Sequence, residues 1–173
     1  MLTIRAAETE DAPAIAKVHV DTWQANYRGI IPQIYLDSLT VQNRTIGWVR
    51  LLERAGTDLI TLVSEDNDGR VVGFASGGAI RHREPRFQAE ISSIYVSPRA
   101  QRHGHGRRLF LALSNRLASR GLKGLFVWVL ADNTARGFYE ALGGRPVGEV
   151  VRDFAGTPLR EIGYGWDDTP RYE

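Results

Sequence analysis

The stretch IYVSPRAQRHGHGRRL, residues 94–109, joins an apolar, β-branched segment to a basic segment that contains Gly-x-Gly. Leu109, Leu113 and Leu117 then recur at helical spacing. The pattern predicts a strand, a glycine loop and a helix, an arrangement that can present backbone N–H groups to an anion at the helix N-terminus. Gly-x-Gly alone is weak evidence, because glycines open many ordinary turns.

The composition is that of an ordinary globular protein. A length of 173 residues suits one domain with a sizeable core. Lys and Arg number 22 against 20 Asp and Glu, so the net charge is only +2. The arginines are concentrated in part between Arg99 and Arg108, which favours a local phosphate site over general nucleic-acid binding.

The composition also excludes several kinds of site. The absence of cysteine excludes disulfides, thiolate metal sites and cysteine nucleophiles, and four scattered histidines do not predict a metal site. No apolar run reaches the roughly 18 residues that a membrane span needs. The N-terminus also lacks the layout of a signal peptide. We therefore expect a cytoplasmic protein with neither a membrane nor a nucleic acid as its partner.

Helical periodicity dominates the first third of the chain. The elements predicted there are a strand over residues 2–5, a helix capped by Thr9 that reaches Trp23, a loop over 27–32, and helices over 35–39 and 41–54, the last ended by Gly56.

Strand periodicity takes over at Leu59. Gly73, Gly77 and Gly78 predict a bulge or a close backbone approach in the second strand of this part. The predicted elements are strands over 59–65 and 71–80 with a turn at 66–69, a charged turn over 81–86, a strand over 88–96, a helix over 109–119, a strand over 125–130, a helix capped by Asn133 and ending at Leu142, and a hairpin of strands 146–154 and 159–166 over a turn at 155–158.

This order predicts a mixed α/β (α+β) fold with both parallel and antiparallel strand pairs, not a doubly wound fold. We expect a single domain over residues 2–166 and a polar, frayed tail over residues 167–173.

Two motifs resemble those of the GNAT superfamily, the acyl-CoA-dependent N-acyltransferases. Residues 101–106, QRHGHG, resemble the Arg/Gln-x-x-Gly-x-Gly/Ala loop of that family, and residues 95–98, YVSP, resemble the entry to it. Residues 133–143, NTARGFYEALG, resemble its second motif. The resemblance implies a mostly antiparallel sheet of six to seven strands with a splayed parallel pair and about four helices on both faces.

The resemblance also implies acetyl-CoA as the acyl-donor co-substrate. Its pantetheine arm is expected to insert between strands 88–96 and 125–130, and its pyrophosphate to meet the glycine loop. The coenzyme-binding residues expected on this basis are Ile94, Tyr95, Val96, Gln101, Arg102, His103, Gly104, His105, Gly106, Arg107, Asn133 and Arg136.

Tyr139 and Glu90 are the predicted catalytic residues. Expulsion of a thiolate calls for a general acid, and the phenol of Tyr139 can supply the proton. Glu90, acting through water, is the best-placed candidate for the general base, with His19 and Tyr95 as weaker alternatives. The competing interpretations are that Tyr139 anchors the core and that Glu90 is an exposed strand residue paired with an arginine.

The predicted function is transfer of acetyl from acetyl-CoA to a primary amine by direct attack. Trp23, Tyr27 and Arg28, on the first helix and its loop, are the predicted acceptor-binding residues. A non-catalytic acyl-CoA-binding or sensor domain of the same fold is the main alternative. A nucleotide- or RNA-binding module is opposed by the near-neutral charge and the missing Walker lysine. The strand over 159–166 could support a homodimer.

Overall fold

The computed structural model describes residues 2–54, 58–81 and 86–170. Within these ranges a seven-stranded sheet has the order β1-β2-β3-β4-β5-β7-β6. The strands are β1 (Thr3–Ala6), β2 (Leu59–Glu65), β3 (Val71–Ala79), β4 (Ala89–Val96), β5 (Leu125–Leu130), β6 (Arg145–Phe154) and β7 (Thr157–Trp166). Only β4 and β5 pair in parallel, so the predicted mixed, mostly antiparallel fold is confirmed.

Helices cover both faces of the sheet. The described residues form five α-helices: α1 (Ala12–Asn26), α2 (Gln33–Ser38), α3 (Val41–Arg54), α4 (His105–Ser119) and α5 (Arg136–Ala141). Successive strand residues point to opposite faces. Val63 of β2 therefore packs under α1 and α3, whereas the neighbouring Leu62 packs under α4. None of the described helices is long and apolar enough to cross a membrane.

The parallel pair separates soon after it forms. In the described structure β4 and β5 are in register only at Ala89 with Leu125 and at Glu90 with Phe126. Beyond these positions β4 stays paired with β3, and β5 with β7. The register of β3 and β4 shifts between Ser76 and Gly77, which leaves an extra residue in β4 and bends this strand away from β5.

Close backbone approach explains two of the glycines in β3. A Cβ on Gly77 would lie 2.6 Å from the carbonyl oxygen of Glu90, and one on Gly78 would lie 2.0 Å from that of Asp58. No side chain fits at either position. The predicted close approach is thus confirmed, and the predicted bulge of β3 lies beside Gly73, where the register shift at Ser64 and Glu65 of β2 leaves Val72 as an extra residue.

Helix starts differ from the sequence predictions. Thr9 does not cap α1, because residues Thr9–Asp11 form a 3₁₀ turn in which Glu8 and Asp11 make a capping box. Helix α4 begins at His105, four residues before the predicted start, because Gly104 takes a φ of 88° and the chain is helical immediately after it. Asn133 does not cap α5 either, since its Oδ1 accepts from the N–H of Ala135 in a turn before the helix.

The final hairpin is tighter than expected. Ala155 and Gly156, with φ angles of 51° and 84°, form a two-residue turn between β6 and β7. Positive φ at both positions matches the twist of the flanking strands, so β7 begins at Thr157 and not at residue 159.

The C-terminal residues are attached to the domain at Thr169. Thr169 of the predicted tail is buried and donates to the carbonyl of Leu122 at 2.7 Å, so this part of the tail is attached to the domain and not frayed. The predicted stop at Gly56 and most of the charged turn over residues 81–86 lie outside the described residues.

Candidate active site

A cavity of about 1060 Å³ opens where β4 and β5 separate. Its walls include side chains from both faces of the sheet, because Val127 and Val129 of β5 pack toward α4 while Leu130 packs toward α1 and α2. The cavity therefore passes between the strands. The predicted site residues that line it are Trp23, Tyr27, Glu90, Ile94, Tyr95, Val96, Gln101, Arg102, Gly104, Gly106, Arg107, Asn133 and Tyr139.

Four predicted site residues do not line this cavity: Arg28, His103, His105 and Arg136. Arg28 and His103 are exposed. Arg136 turns its guanidinium to the protein, with Nε donating to the hydroxyl of Tyr164 at 3.0 Å and Nη1 to the carbonyl of Ala131 at 3.2 Å. These contacts attach α5 to β7 and to the end of β5.

The glycine loop has the conformation of an anion cradle. Arg102 and Gly104 have positive φ angles of 65° and 88°. Helix α4 starts directly afterwards, so its first N–H groups and its dipole face the loop. A Cβ on Gly104 would meet no protein atom within 4 Å, and one on Gly106 only ordinary contacts at 3.6 Å or more. The missing side chain at Gly106 thus leaves room on the cavity side, which fits a phosphate group held against the backbone.

Gln101 fixes the loop to the end of β4. Its side-chain amide donates to the carbonyl of Val96 at 3.0 Å, and the hydroxyl of Thr22 donates to the same carbonyl at 3.3 Å. This carbonyl therefore already accepts two hydrogen bonds from the protein. Gln101 positions the loop.

His105 is also a loop anchor. Its Nδ1 lies 2.6 Å from the hydroxyl of Ser64 on β2, and both residues are buried. Burial lowers the pKa of His105, and the neighbouring His103 lowers it further. The contact fixes the first residue of α4 to the sheet. The glycine motif predicted only a coenzyme-binding role for His105, and the pair with Ser64 was not predicted.

Three phenols meet at the cavity. Burial raises the pKa of Tyr139, of Tyr27 and of Tyr95, and the nearby phenol of Tyr95 raises that of Tyr139 further. The side chain of Asn133 donates to the hydroxyl of Tyr27 at 3.1 Å, which connects α1 to the start of the second motif. All three phenols therefore carry their protons at neutral pH.

Glu90 is buried, with a relative exposure of 5%. Its carboxylate accepts from Nη2 of Arg81 at 3.0 Å and from Nε at 3.3 Å, so both oxygens face the guanidinium. The competing interpretation of Glu90 as an exposed strand residue paired with an arginine is therefore right about the pair and wrong about the exposure.

His19 packs among aromatic side chains and does not line the cavity. Burial, with a contribution from Arg44, lowers its pKa to about 4. Its ring stacks on Tyr95 with centroids 5.4 Å apart and its Nδ1 faces the indole N–H of Trp48 at 3.4 Å. This packing role, outside the cavity lining, makes it a poor candidate for the general base.

A second glutamate in the cavity wall was missed. Glu161 of β7 accepts from Nε of Arg152 on β6 at 2.5 Å, and both line the cavity. Trp128 and Phe154 line the same side. These residues lie on three strands that are brought together only by sheet order and register, and the signal in the sequence was limited to alternation along each strand.

Comparisons with known proteins agree with this geometry. The profile described as the Acetyltransferase (GNAT) family matches residues 18–144. The uncharacterized N-acetyltransferase YuaI of Bacillus subtilis is 38% identical over 168 residues, 97% of this chain and 94% of its own.

Two solved structures share the fold and hold the coenzyme. The PaiA N-acetyltransferase of Thermoplasma acidophilum in complex with coenzyme A gives a TM-score of 0.69 at 20% identity, covering 94% of this chain and 98% of its own. YncA of Salmonella typhimurium, whose structure contains acetyl-CoA, gives a TM-score of 0.72 at 24% identity, covering 100% and 96%.

Proposed function

Because this chain belongs to the GNAT family of acetyltransferases, we propose that it transfers the acetyl group of acetyl-CoA to a primary amine by direct attack. The observation that carries the proposal is the cavity between β4 and β5, which has a glycine loop at one side and a buried phenol in its wall. Acetyl-CoA supplies an activated acetyl group as a thioester when it is bound.

The phosphate end of the coenzyme is assigned to the glycine loop. Backbone N–H groups at the start of α4 and the guanidinium groups of Arg102 and Arg107 provide donors for anionic oxygens. Ile94, Tyr95 and Val96 contribute the β4 edge that β5 leaves uncovered. Three of the predicted coenzyme-binding residues do not line the cavity with their side chains: His103, His105 and Arg136. In this proposal their side chains do not contact the coenzyme. His103 and His105 contribute backbone groups, and Arg136 helps to hold α5 in place.

Tyr139 is proposed as the general acid. Its phenol is in the cavity wall and burial raises its pKa, so Tyr139 is protonated at neutral pH and can donate its proton to the thiolate as the thiolate departs beside it. The ring is held by stacking on Tyr164, with centroids 6.2 Å apart.

Glu90 is proposed as the base that receives the amine proton through water. It lies where β4 and β5 are still paired, at the closed end of the separation. The bidentate contact with Arg81 holds the carboxylate in one orientation.

The acceptor is assigned to the α1 side of the cavity, where Trp23 and Tyr27 line the wall. Arg28 is exposed outside it, and its role in acceptor binding stays a prediction. A cytoplasmic location, a homodimer and the absence of nucleic-acid partners also stay predictions.

Amine-dependent release of the coenzyme thiol from acetyl-CoA, measured against a panel of primary amines, tests the function. Tyr139→Phe should lower kcat about 100-fold, within the usual range for loss of an acid catalyst, and should leave the affinity for acetyl-CoA unchanged. Tyr35→Phe is the control, because Tyr35 is an aromatic of α2 that does not line the cavity.

Two results would contradict the proposal. Unchanged turnover in Tyr139→Phe would remove this residue from the mechanism. Tight calorimetric binding of acetyl-CoA without transfer to any amine would favour the non-catalytic acyl-CoA-binding domain.

A further inference from the structure

Glu161 faces the α1 side of the cavity. It lies opposite Leu130 in the β5–β7 register, and directly opposed residues of paired strands point to the same face. Leu130 packs with Val20 of α1 and with Tyr27 and Ile31, which follow this helix. Glu161 therefore lies on the face of the sheet opposite α4 and the glycine loop that precedes this helix.

The carboxylate of Glu161 has bonding capacity left. Its side chain is 13% exposed, and Nε of Arg152 reaches only Oε2. Among the described residues, Arg152 is its one ion-pair partner. Glu90 differs, because both of its oxygens face Arg81. An ionised carboxylate accepts several hydrogen bonds, so Oε1 of Glu161 can receive a further donor.

Aromatic rings line the same cavity as this carboxylate. Trp23, Trp128 and Phe154 all line the cavity, and the centroids of Trp23 and Phe154 are 6.5 Å apart. The guanidinium of Arg152 already lies 5.5 Å from the ring centroid of Trp128. Aromatic faces beside a carboxylate suit a cation attached to an apolar body.

The number of free carboxylate oxygens in the cavity lining limits how many ammonium groups a bound amine can place there. Among the described lining residues the acidic ones are Glu90 and Glu161, and each is paired with an arginine. Among the described lining residues, only Glu161 has a carboxylate oxygen that accepts no hydrogen bond from an arginine. The lining thus provides for one ammonium group and not for a chain of several.

We propose that Glu161 binds the ammonium group of the acceptor, a primary monoamine whose apolar body packs against Trp23, Trp128 and Phe154. The inference rests on the proposed acetyl transfer and specifies its acceptor class. Glu161 then acts in binding the amine, while proton transfer stays with the groups assigned above.

Steady-state acetylation of phenethylamine, a monoamine with an aromatic body, tests the inference, with spermidine as the polycationic comparison. Glu161→Gln should raise KM for phenethylamine about tenfold or more, as expected for loss of a charge-assisted contact, with a much smaller change in kcat. Acetyl-CoA affinity by calorimetry should not change. Arg152→Gln should lower KM for phenethylamine, because it frees the carboxylate and removes a competing cation.

Glu149→Gln is the matched control. Glu149 pairs with Arg160 on the same hairpin at 3.7 Å, but it is exposed and does not line the cavity. The opposite directions expected for the Glu161 and Arg152 variants separate binding from folding damage, which would impair both.

Three outcomes would overturn the inference. The first is a Glu161→Gln enzyme with unchanged KM for phenethylamine. The second is a wild-type enzyme that acetylates spermidine or other amines but not phenethylamine, which leaves the proposed function intact. The third is a wild-type enzyme that acetylates no amine at all, which removes the proposed function together with the inference.

Discussion

Single buried polar contacts determine the geometry of the site at the scale of residues. Gln101, His105 and Asn133 lie in the two motifs, yet each directs its side chain to a protein partner: Val96, Ser64 and Tyr27 respectively. These three motif side chains thus hold the loops in place, and in the proposed binding mode the coenzyme meets the backbone and the arginines.

The His105–Ser64 contact gives a prediction at this scale. His105→Ala should weaken acetyl-CoA binding about fivefold to tenfold, since a lost buried hydrogen bond is worth about 1 kcal/mol and loosens the first turn of α4. Ser64→Ala should have a similar effect, and the double variant should be no worse than either single one. Calorimetric titration with acetyl-CoA measures all three.

His103→Ala is the control for this cycle, because His103 is the exposed neighbour in the same loop. Additive losses in the double variant, or full acetyl-CoA affinity in His105→Ala, would show that the pair does not position the loop.

At the scale of elements, the bend in β4 creates the cavity. The strand has an extra residue opposite the Ser76–Gly77 step of β3 and leaves β5 after Glu90. Gly77 lets the backbone of β3 come close to Glu90 at this point. The bulge, the strand separation and the candidate base therefore occur within a few residues of one another.

Gly77→Ala should destabilise the fold by about 1–3 kcal/mol, because the new Cβ forces backbone apart in a packed region. Turnover of the remaining folded protein should fall as well, since Glu90 shifts with its strand. Urea unfolding and thiol release measure the two effects. Gly148→Ala on β6 is the control, because a Cβ there meets nothing within 4 Å, and equal stability of the two variants would contradict the account.

Local patterns were enough to predict most elements. The bounds of β2, α3 and β5 agree with the sequence prediction, because β2 and α3 have recognisable periodicity and β5 is a short apolar run that begins after Gly124 and ends before Asp132 and Asn133. The predicted start of α4 and the predicted length of the turn between β6 and β7 were wrong. Both features depend on positive φ angles, at Gly104 and at Ala155 and Gly156, that residue type alone does not specify. The glycine loop was identified from its motif, whereas Glu161, Arg152 and Trp128 were missed because only strand order and register unite them.

At the scale of the whole molecule, one sheet separates the proposed coenzyme region from the proposed acceptor region, and the gap between β4 and β5 connects them. The arginines and amides at the start of α4 belong to one region, and Trp23, Trp128 and Glu161 belong to the other. A net charge of +2 conceals this division, because the positive groups cluster at the glycine loop while the acidic groups of the acceptor side are paired.

A crystal structure of the protein with acetyl-CoA would show whether the coenzyme occupies the gap between β4 and β5. We expect the pyrophosphate on the N–H groups of residues 102–107, the pantetheine arm between β4 and β5, and the thioester sulfur within hydrogen-bond reach of the Tyr139 hydroxyl. Acetyl-CoA bound outside the β4–β5 gap, or with its thioester remote from Tyr139, would contradict this expectation.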